Sequence, residues 1–364
     1  MLDELLEARG WSKRVLGVVI GMDESSVGKI VAGRKPVDAH LALVLGEVFG
    51  IEAERFVELQ RSYDLAQARI VAKPDPARTR RAHLFGDLPV SDMIKRRWIE
   101  AEDVRDVAAV ERSLARFFGV SSPNEIEVLP HAAKKTHVSG PATPEQIAWL
   151  YRVKQLAADT PVPKFSESSA PDAVRRLGPL RIAAEEARKV PRMMAECGIR
   201  FVIVESLARA KIDGVCLWLT AEQPVIGLSM RHDRIDNFWF VLRHELEHVI
   251  QGHGKSAVML DIDMEGIRPE AEADEERIAN EAAAEFCVPQ EALGDLIARK
   301  SPFFADRDIV EFARTVGVHP GLVAGQLQRK TGRYDRFRAH QVKIRSLVTA
   351  ESIVDGWGDV APLD

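Results

Sequence analysis

The run from Asp236 to Gly254, D-N-F-W-F-V-L-R-H-E-L-E-H-V-I-Q-G-H-G, constrains this chain more than any other stretch. It holds neither Pro nor Gly before Gly252, and Phe238, Trp239, Phe240, Val241, Leu242, Val249 and Ile250 make it apolar on most sides, so it reads as a buried helix. At its centre stands His244-Glu245-Leu246-Glu247-His248, an H-E-x-x-H word. Side chains four apart share a helix face, so His244 and His248 can present two imidazole nitrogens to one metal ion. Glu245 lies about a hundred degrees round and can reach water at that ion without displacing it. Polar groups inside such a helix need partners, and a bound ion answers that need. The blander reading is a helix with two hydrogen-bonded histidines and an exposed glutamate. The spacing favours a zinc hydrolase.

Composition narrows the setting. With 364 residues the chain can hold two or three domains, and 46% hydrophobic with 29% charged residues is neither a disordered nor a membrane balance. It contains no run of about twenty apolar residues, and Met1-Leu2-Asp3-Glu4 lacks the basic and apolar segments of a secretory signal, so a cytoplasmic protein without a membrane partner is expected. Cys197, Cys216 and Cys287 are far apart in apolar surroundings and read as core thiols in a reducing compartment. A net charge of -5 argues against indiscriminate coating of nucleic acid but leaves room for a local basic face.

Five short helices are expected at the start: Leu2 to Ala8, Lys13 to Ile20, Glu24 to Val31, Ala39 to Phe49 and Glu54 to Arg69, punctuated by Gly10, Gly21, Gly33 and Gly50. Ser12 can cap the second and Asp23 the third, with Gly21 in the tight turn between them. Val15, Leu16, Val19, Ile20, Val27, Ile30 and Val31 are the expected core. The third helix then offers Glu24, Ser25, Ser26 and Lys29, followed by Arg34 and Lys35, to a double-stranded DNA operator. That face lacks the Arg or Asn forks that read bases, so specificity would rest on few contacts and a homodimer. A plain helical domain for protein contacts is the alternative. The segment resembles the XRE-type helix-turn-helix of HigA-type antidotes, through L-E-A-R-G-W-S, V-V-I-G-M-D-E-S-S-V-G-K-I-V-A-G-R and L-Q-R-S-Y-D-L-A-Q-A-R.

From Val71 to Ala82 a Pro-interrupted basic run reads as a linker, and its Lys73, Arg78, Arg80 and Arg81 are solvated or touch phosphates. Helices are expected near Ser91 to Ile99, Val104 to Phe118 and Glu145 to Ala158, with loops at Ser121 to Pro144 and Thr160 to Pro171. Three β-rich runs, Arg200 to Val204, Gly214 to Leu219 and Pro224 to Met230, then suggest a small sheet. The part from Val225 to Ser229 is the expected edge, where an extended substrate would pair by main-chain hydrogen bonds; the plainer alternative is that all three strands only form a floor for the helix.

A catalytic zinc site takes three protein ligands and keeps an open position, whereas a structural one closes with a fourth. The acidic helix E-A-E-A-D-E-E-R-I-A-N-E-A-A-A-E-F-C-V-P, residues 270 to 289, can supply the third. On spacing, Glu276 competes with Glu272, Asp274 and Glu275, while Asn280, four beyond Glu276, can steady a ligating imidazole by its other nitrogen. H-E-L-E-H followed by E-R-I-A-N-E-A-A-A-E-F-C-V-P resembles the ImmA/IrrE metallopeptidases, whose pattern is H-E-x-x-H and then E-x-x-A-N-x-F-A-x-x-L-x-x-P. That resemblance implies His244, His248 and Glu276 as zinc ligands, Glu245 as catalytic base and Asn280 as the residue behind a ligand. Two positions depart from it: Ala282 replaces the usual Phe, and Glu247 adds a charge beside His244.

The expected fold is α+β, mainly α with a small β-sheet: a five-helix helix-turn-helix domain at 1–70, a linker and helical connector at 71–144, and a zincin-like domain at 145–364. The resemblance implies a DNA-binding regulator whose zinc endopeptidase cleaves a repressor, a partner or itself. The other reading is a HigA-like antitoxin or autorepressor, facing a toxin or other partner, whose metallopeptidase fold senses without hydrolysis. His232, His253, His319, Tyr334 and His340 are candidates to stabilise an oxyanion, each with a plainer surface or core reading.

Overall fold

The computed structural model describes residues 1–73, 78, 82, 86, 88–121, 125, 133–135, 142–255, 258–262 and 274–356. Residues 1–77 and 78–364 form two compact units. Most of the expected linker, with Arg80 and Arg81, lies outside the described residues, as do most of Ser121 to Pro144 and Glu272.

The first unit is five helices, α1 (Leu2–Arg9), α2 (Lys13–Ile20), α3 (Glu24–Val31), α4 (Ala39–Phe49) and α5 (Ala53–Val71). Local chemistry sets their ends. Ser12 Oγ accepts from Val15 N at 3.3 Å and Asp23 Oδ1 from Ser26 N at 2.8 Å, while Gly21, at φ 71°, closes α2 in the left-handed conformation. Leu16, Val27, Leu45 and Phe56 are buried at the centre. Val15 and Val19, expected in this core, are 42% and 47% exposed. The eight-residue α2 has one narrow buried stripe, set by Leu16 and by Gly17, where a Cβ would collide with the Met22 carbonyl.

The second unit is built on a six-stranded sheet in the order β1-β5-β3-β4-β2-β6. The strands are β1 (Ala133–Lys135), β2 (Arg200–Val204), β3 (Ile212–Trp218), β4 (Pro224–Leu228), β5 (Val258–Ile262) and β6 (Ile353–Asp355). Strand β3 runs antiparallel to both neighbours, and the other pairings are parallel. Both faces are covered, so apolar residues alternate between two cores rather than between core and water. Phe201, Ile203, Cys216 and Ile226 belong to one, and Val202, Val204, Val215 and Leu217 to the other.

Helices α6 (Val90–Lys95), α7 (Val107–Phe118) and α8 (Pro144–Ala158) cover the second face, with Trp98, Leu114, Phe117, Leu150 and Val153 buried there. A capping box between Thr143 and Gln146 starts α8. On the first face lie α9 (Ser169–Leu177), α10 (Val190–Glu196), α11 (Ile235–Gln251), α12 (Asp274–Cys287), α13 (Gln290–Lys300), α14 (Asp306–Val316), α15 (Pro320–Thr331) and α16 (Arg345–Thr349). The start of α9 corrects the end of the loop expected at Thr160 to Pro171.

A larger correction concerns β4. It is not an edge: β3 and β2 flank it on either side. Beyond β3 lies β5, an additional strand that is itself flanked by β1, so among the described residues the sheet's outer strands are β1 and β6. Among the described residues no helix is long and apolar enough to cross a membrane.

Candidate metal centre

Helix α11 is buried at every position from Asn237 to Val249 and ends at Gly252, whose φ of 70° provides the left-handed stop. Its histidines meet as a pair one turn apart should, with His244 Nε2 3.0 Å from His248 Nε2. Helix α12 lies along α11 through Glu276, Ala279, Ala283 and Cys287, positions spaced three, four and four apart on one buried stripe. The small alanines let the two helices approach closely, and the same stripe carries the Glu276 carboxylate to the histidines. Its Oε2 is 3.3 Å from His244 Nε2 and its Oε1 3.4 Å from His248 Nε2. Of its rivals, Asp274 is exposed and Glu275 only half-buried.

A fourth donor comes from the sheet. Asp261 Oδ2 stands 3.2 Å from His244 Nε2. On β5 its neighbours Leu260 and Ile262 belong to the core on the α8 side, so the period of two turns Asp261 toward α11. His244, His248, Asp261 and Glu276 each offer one ligand atom, all within 4.8 Å of one another, and all four residues are at most 1% exposed. Donors about 2.0–2.1 Å from one zinc ion in tetrahedral geometry stand roughly 3.3–3.4 Å from each other. The separations among His244, His248 and Glu276, 3.0–3.4 Å, and the 3.2 Å from His244 to Asp261 lie near that spacing, so the residues fit such an ion.

The imidazoles are held from behind. His244 Nδ1 is 3.1 Å from Asn280 Oδ1, an acceptor, which fixes the proton on Nδ1 and leaves Nε2 as the donor atom. His248 Nδ1 is 2.9 Å from His253 Nδ1. The His253 carbonyl accepts from Trp218 Nε1 at 2.7 Å, tying the turn after α11 to the end of β3. Glu247, whose added charge needed an answer, receives Arg243 Nη2 and Gln251 Nε2, both at 2.6 Å. Ala282 is half-buried, and Phe286, 6.2 Å from Trp239, supplies an aromatic contact one turn on.

Glu245 leaves the histidine face and enters the sheet over Gly214, where any Cβ would collide with Oε1. Among the described residues neither of its oxygens meets an N–H or hydroxyl donor, and the Asp261 carboxyl lies beside it. Burial, and then Asp261, raise the Glu245 pKa well above the ordinary carboxyl value. Burial opposes charge on His244 too, but Asp261 and Glu276 outweigh it and push its pKa up to about 10. Asp261 is lowered despite its burial, because His244 charges beside it. Three carboxyls and two imidazoles out of water thus call for positive charge, which a divalent cation would supply.

Sequence reasoning missed Asp261 because one acid in V-M-L-D-I looks like the wet side of a short strand. The alternation with Leu260 and Ile262 was the available signal. His253, considered only as an oxyanion stabiliser, sits behind His248 instead. His319 Nδ1 accepts from Gly321 N at 3.0 Å as a helix cap, and His340 lies 3.2 Å from Asp306. Tyr334 lines a separate cavity with Arg234, Asp236 and Phe240. In the first unit Glu24, Ser25, Lys29, Arg34 and Lys35 are exposed. Ser26 is half-buried, and its hydroxyl donates to Asp23 Oδ2 at 2.6 Å.

Residues 196–327, the span that holds α11, α12 and the strands β2 to β5, match the family model of the IrrE N-terminal-like domain, a peptidase family. This part of the chain is a metallopeptidase-like module. Comparison with curated proteins and with solved structures gave no match.

Proposed function

We propose that this module is a zinc-dependent endopeptidase within a DNA-binding regulator, acting on a repressor, a partner protein or the chain itself. The observation that carries the reading is the junction of His244, His248 and Glu276 with Glu245 one residue along the same buried helix. His244, His248 and Glu276 would hold the ion. Bound there, zinc would supply Lewis-acid chemistry to water and to a peptide carbonyl. Glu245 takes a proton from the attacking water at its carboxyl and returns it to the leaving amine nitrogen. Asn280 and His253 keep both imidazoles oriented while this happens.

The first unit would bring the module to a double-stranded operator, with Glu24, Ser25, Ser26 and Lys29 of α3 toward the groove and Arg34 and Lys35 at phosphates. Support for a homodimer comes from α5, where Leu59, Tyr63 and Ile70 are exposed along one helical stripe. Three buried free thiols suit a reducing cytoplasm. The second reading, a non-hydrolytic antitoxin or sensor, draws on Asp261, because four protein donors suit a closed site.

The test is Glu245→Gln in the zinc-loaded full chain, with the proteins encoded by adjacent genes and the chain itself as substrates. Both forms should hold about one zinc per chain, and cleavage measured by mass spectrometry should fall roughly 10²–10⁴-fold in the variant. Equal cleavage by both forms contradicts the endopeptidase.

A further inference from the structure

The geometry points to Asp261 as a fourth, displaceable metal ligand that keeps the site latent. This rests on the reading that His244, His248 and Glu276 hold zinc. A hydrolytic site keeps one position for water, and here a carboxylate reaches that position from the sheet.

Two features belong to different states of one site. Four protein donors gathered within 4.8 Å of one another can make a closed centre, which has no use for a base. Yet Glu245 is buried beside them, and β3 provides Gly214, the residue without a side chain, where the Glu245 carboxyl must fit. Gly214 also stands opposite Asp261 in the β3–β5 ladder, next to the break in register between Ile212 and Gly214. The blocking carboxylate and the base therefore meet at the least regular point of that ladder.

The sheet gives the same answer. An extended peptide pairs with an exposed edge, but β4 is flanked by β3 and β2, and β3 is covered by β5. Strand β5 is held on its far side by β1 over Ala133 to Lys135. Withdrawal of β5 from β3 would remove Asp261 from the ion and leave an antiparallel edge on β3 beside α11. A single movement would open the coordination position and the peptide-binding edge together.

The test uses full-length protein loaded with cobalt(II) in place of zinc, with acetohydroxamate as a probe that needs a vacant coordination position. The visible bands of the wild-type protein should not move on addition of acetohydroxamate. Those of Asp261→Ala and of the isosteric Asp261→Asn should shift saturably, with affinity at least about tenfold above wild type. Wild-type protein that holds one metal and binds acetohydroxamate as tightly as the variants overturns the latency and leaves the endopeptidase reading standing. Variants that hold metal but stay silent to the probe overturn it as well. Wild-type protein that holds no metal removes both readings. The wild-type measurement stands even if a variant fails to fold.

Discussion

Helices α3 and α11 both put polar residues at helical spacing, and they teach opposite lessons. On α3, Glu24, Ser25 and Lys29 are in water, where a polar side chain needs no explanation. On α11, His244, Glu245 and His248 are at 0% exposure, where a polar side chain is costly without a partner, a shifted protonation state or a bound ion. The same residue types therefore carry much information in one helix and little in the other.

The contrast can be broken most sharply at its acids. Glu247→Ala leaves Arg243 nearly buried without its carboxylate, and loss of one partner of such a pair should cost about 3–5 kcal/mol in urea unfolding. Glu24→Ala on α3 should leave stability unchanged. Equal effects would mean that burial does not separate the two helices. A smaller effect is expected behind the metal: Asn280→Ala should weaken zinc binding roughly 10–100-fold in competition with a chelator, by freeing the His244 ring. Unchanged affinity would make that contact incidental. Smallest is Lys29→Ala, which should weaken operator binding about evenly across sequences and lower the salt slope by about 1. An unaltered slope would remove Lys29 from the phosphate contacts and return α3 to a protein-contact role.

The same division explains how much could be read in advance. The five N-terminal helices were legible because glycine stops and Ser and Asp caps are local signals. Helix α11 was legible because H-E-x-x-H in an apolar run has few explanations. The sheet was half legible. Arg200 to Val204 matched β2, but the position of β4 depends on which strands flank it, and no residue of β4 encodes that. Asp261 was hidden for a related reason. A five-residue strand with an acid at its fourth place reads as half-solvated until the helix above it is known. Burial on α2 differed from expectation at Val15 and Val19 because a short helix with one narrow buried stripe tolerates exposed valines.

Anomalous diffraction at the zinc edge from crystals grown with zinc tests the central claim most directly, that the buried donors hold one ion. The account predicts a single strong peak per chain about 2.0–2.2 Å from His244 Nε2, His248 Nε2 and a Glu276 oxygen, absent from His248→Ala. No peak between α11 and α12, in protein that remains folded, would contradict it.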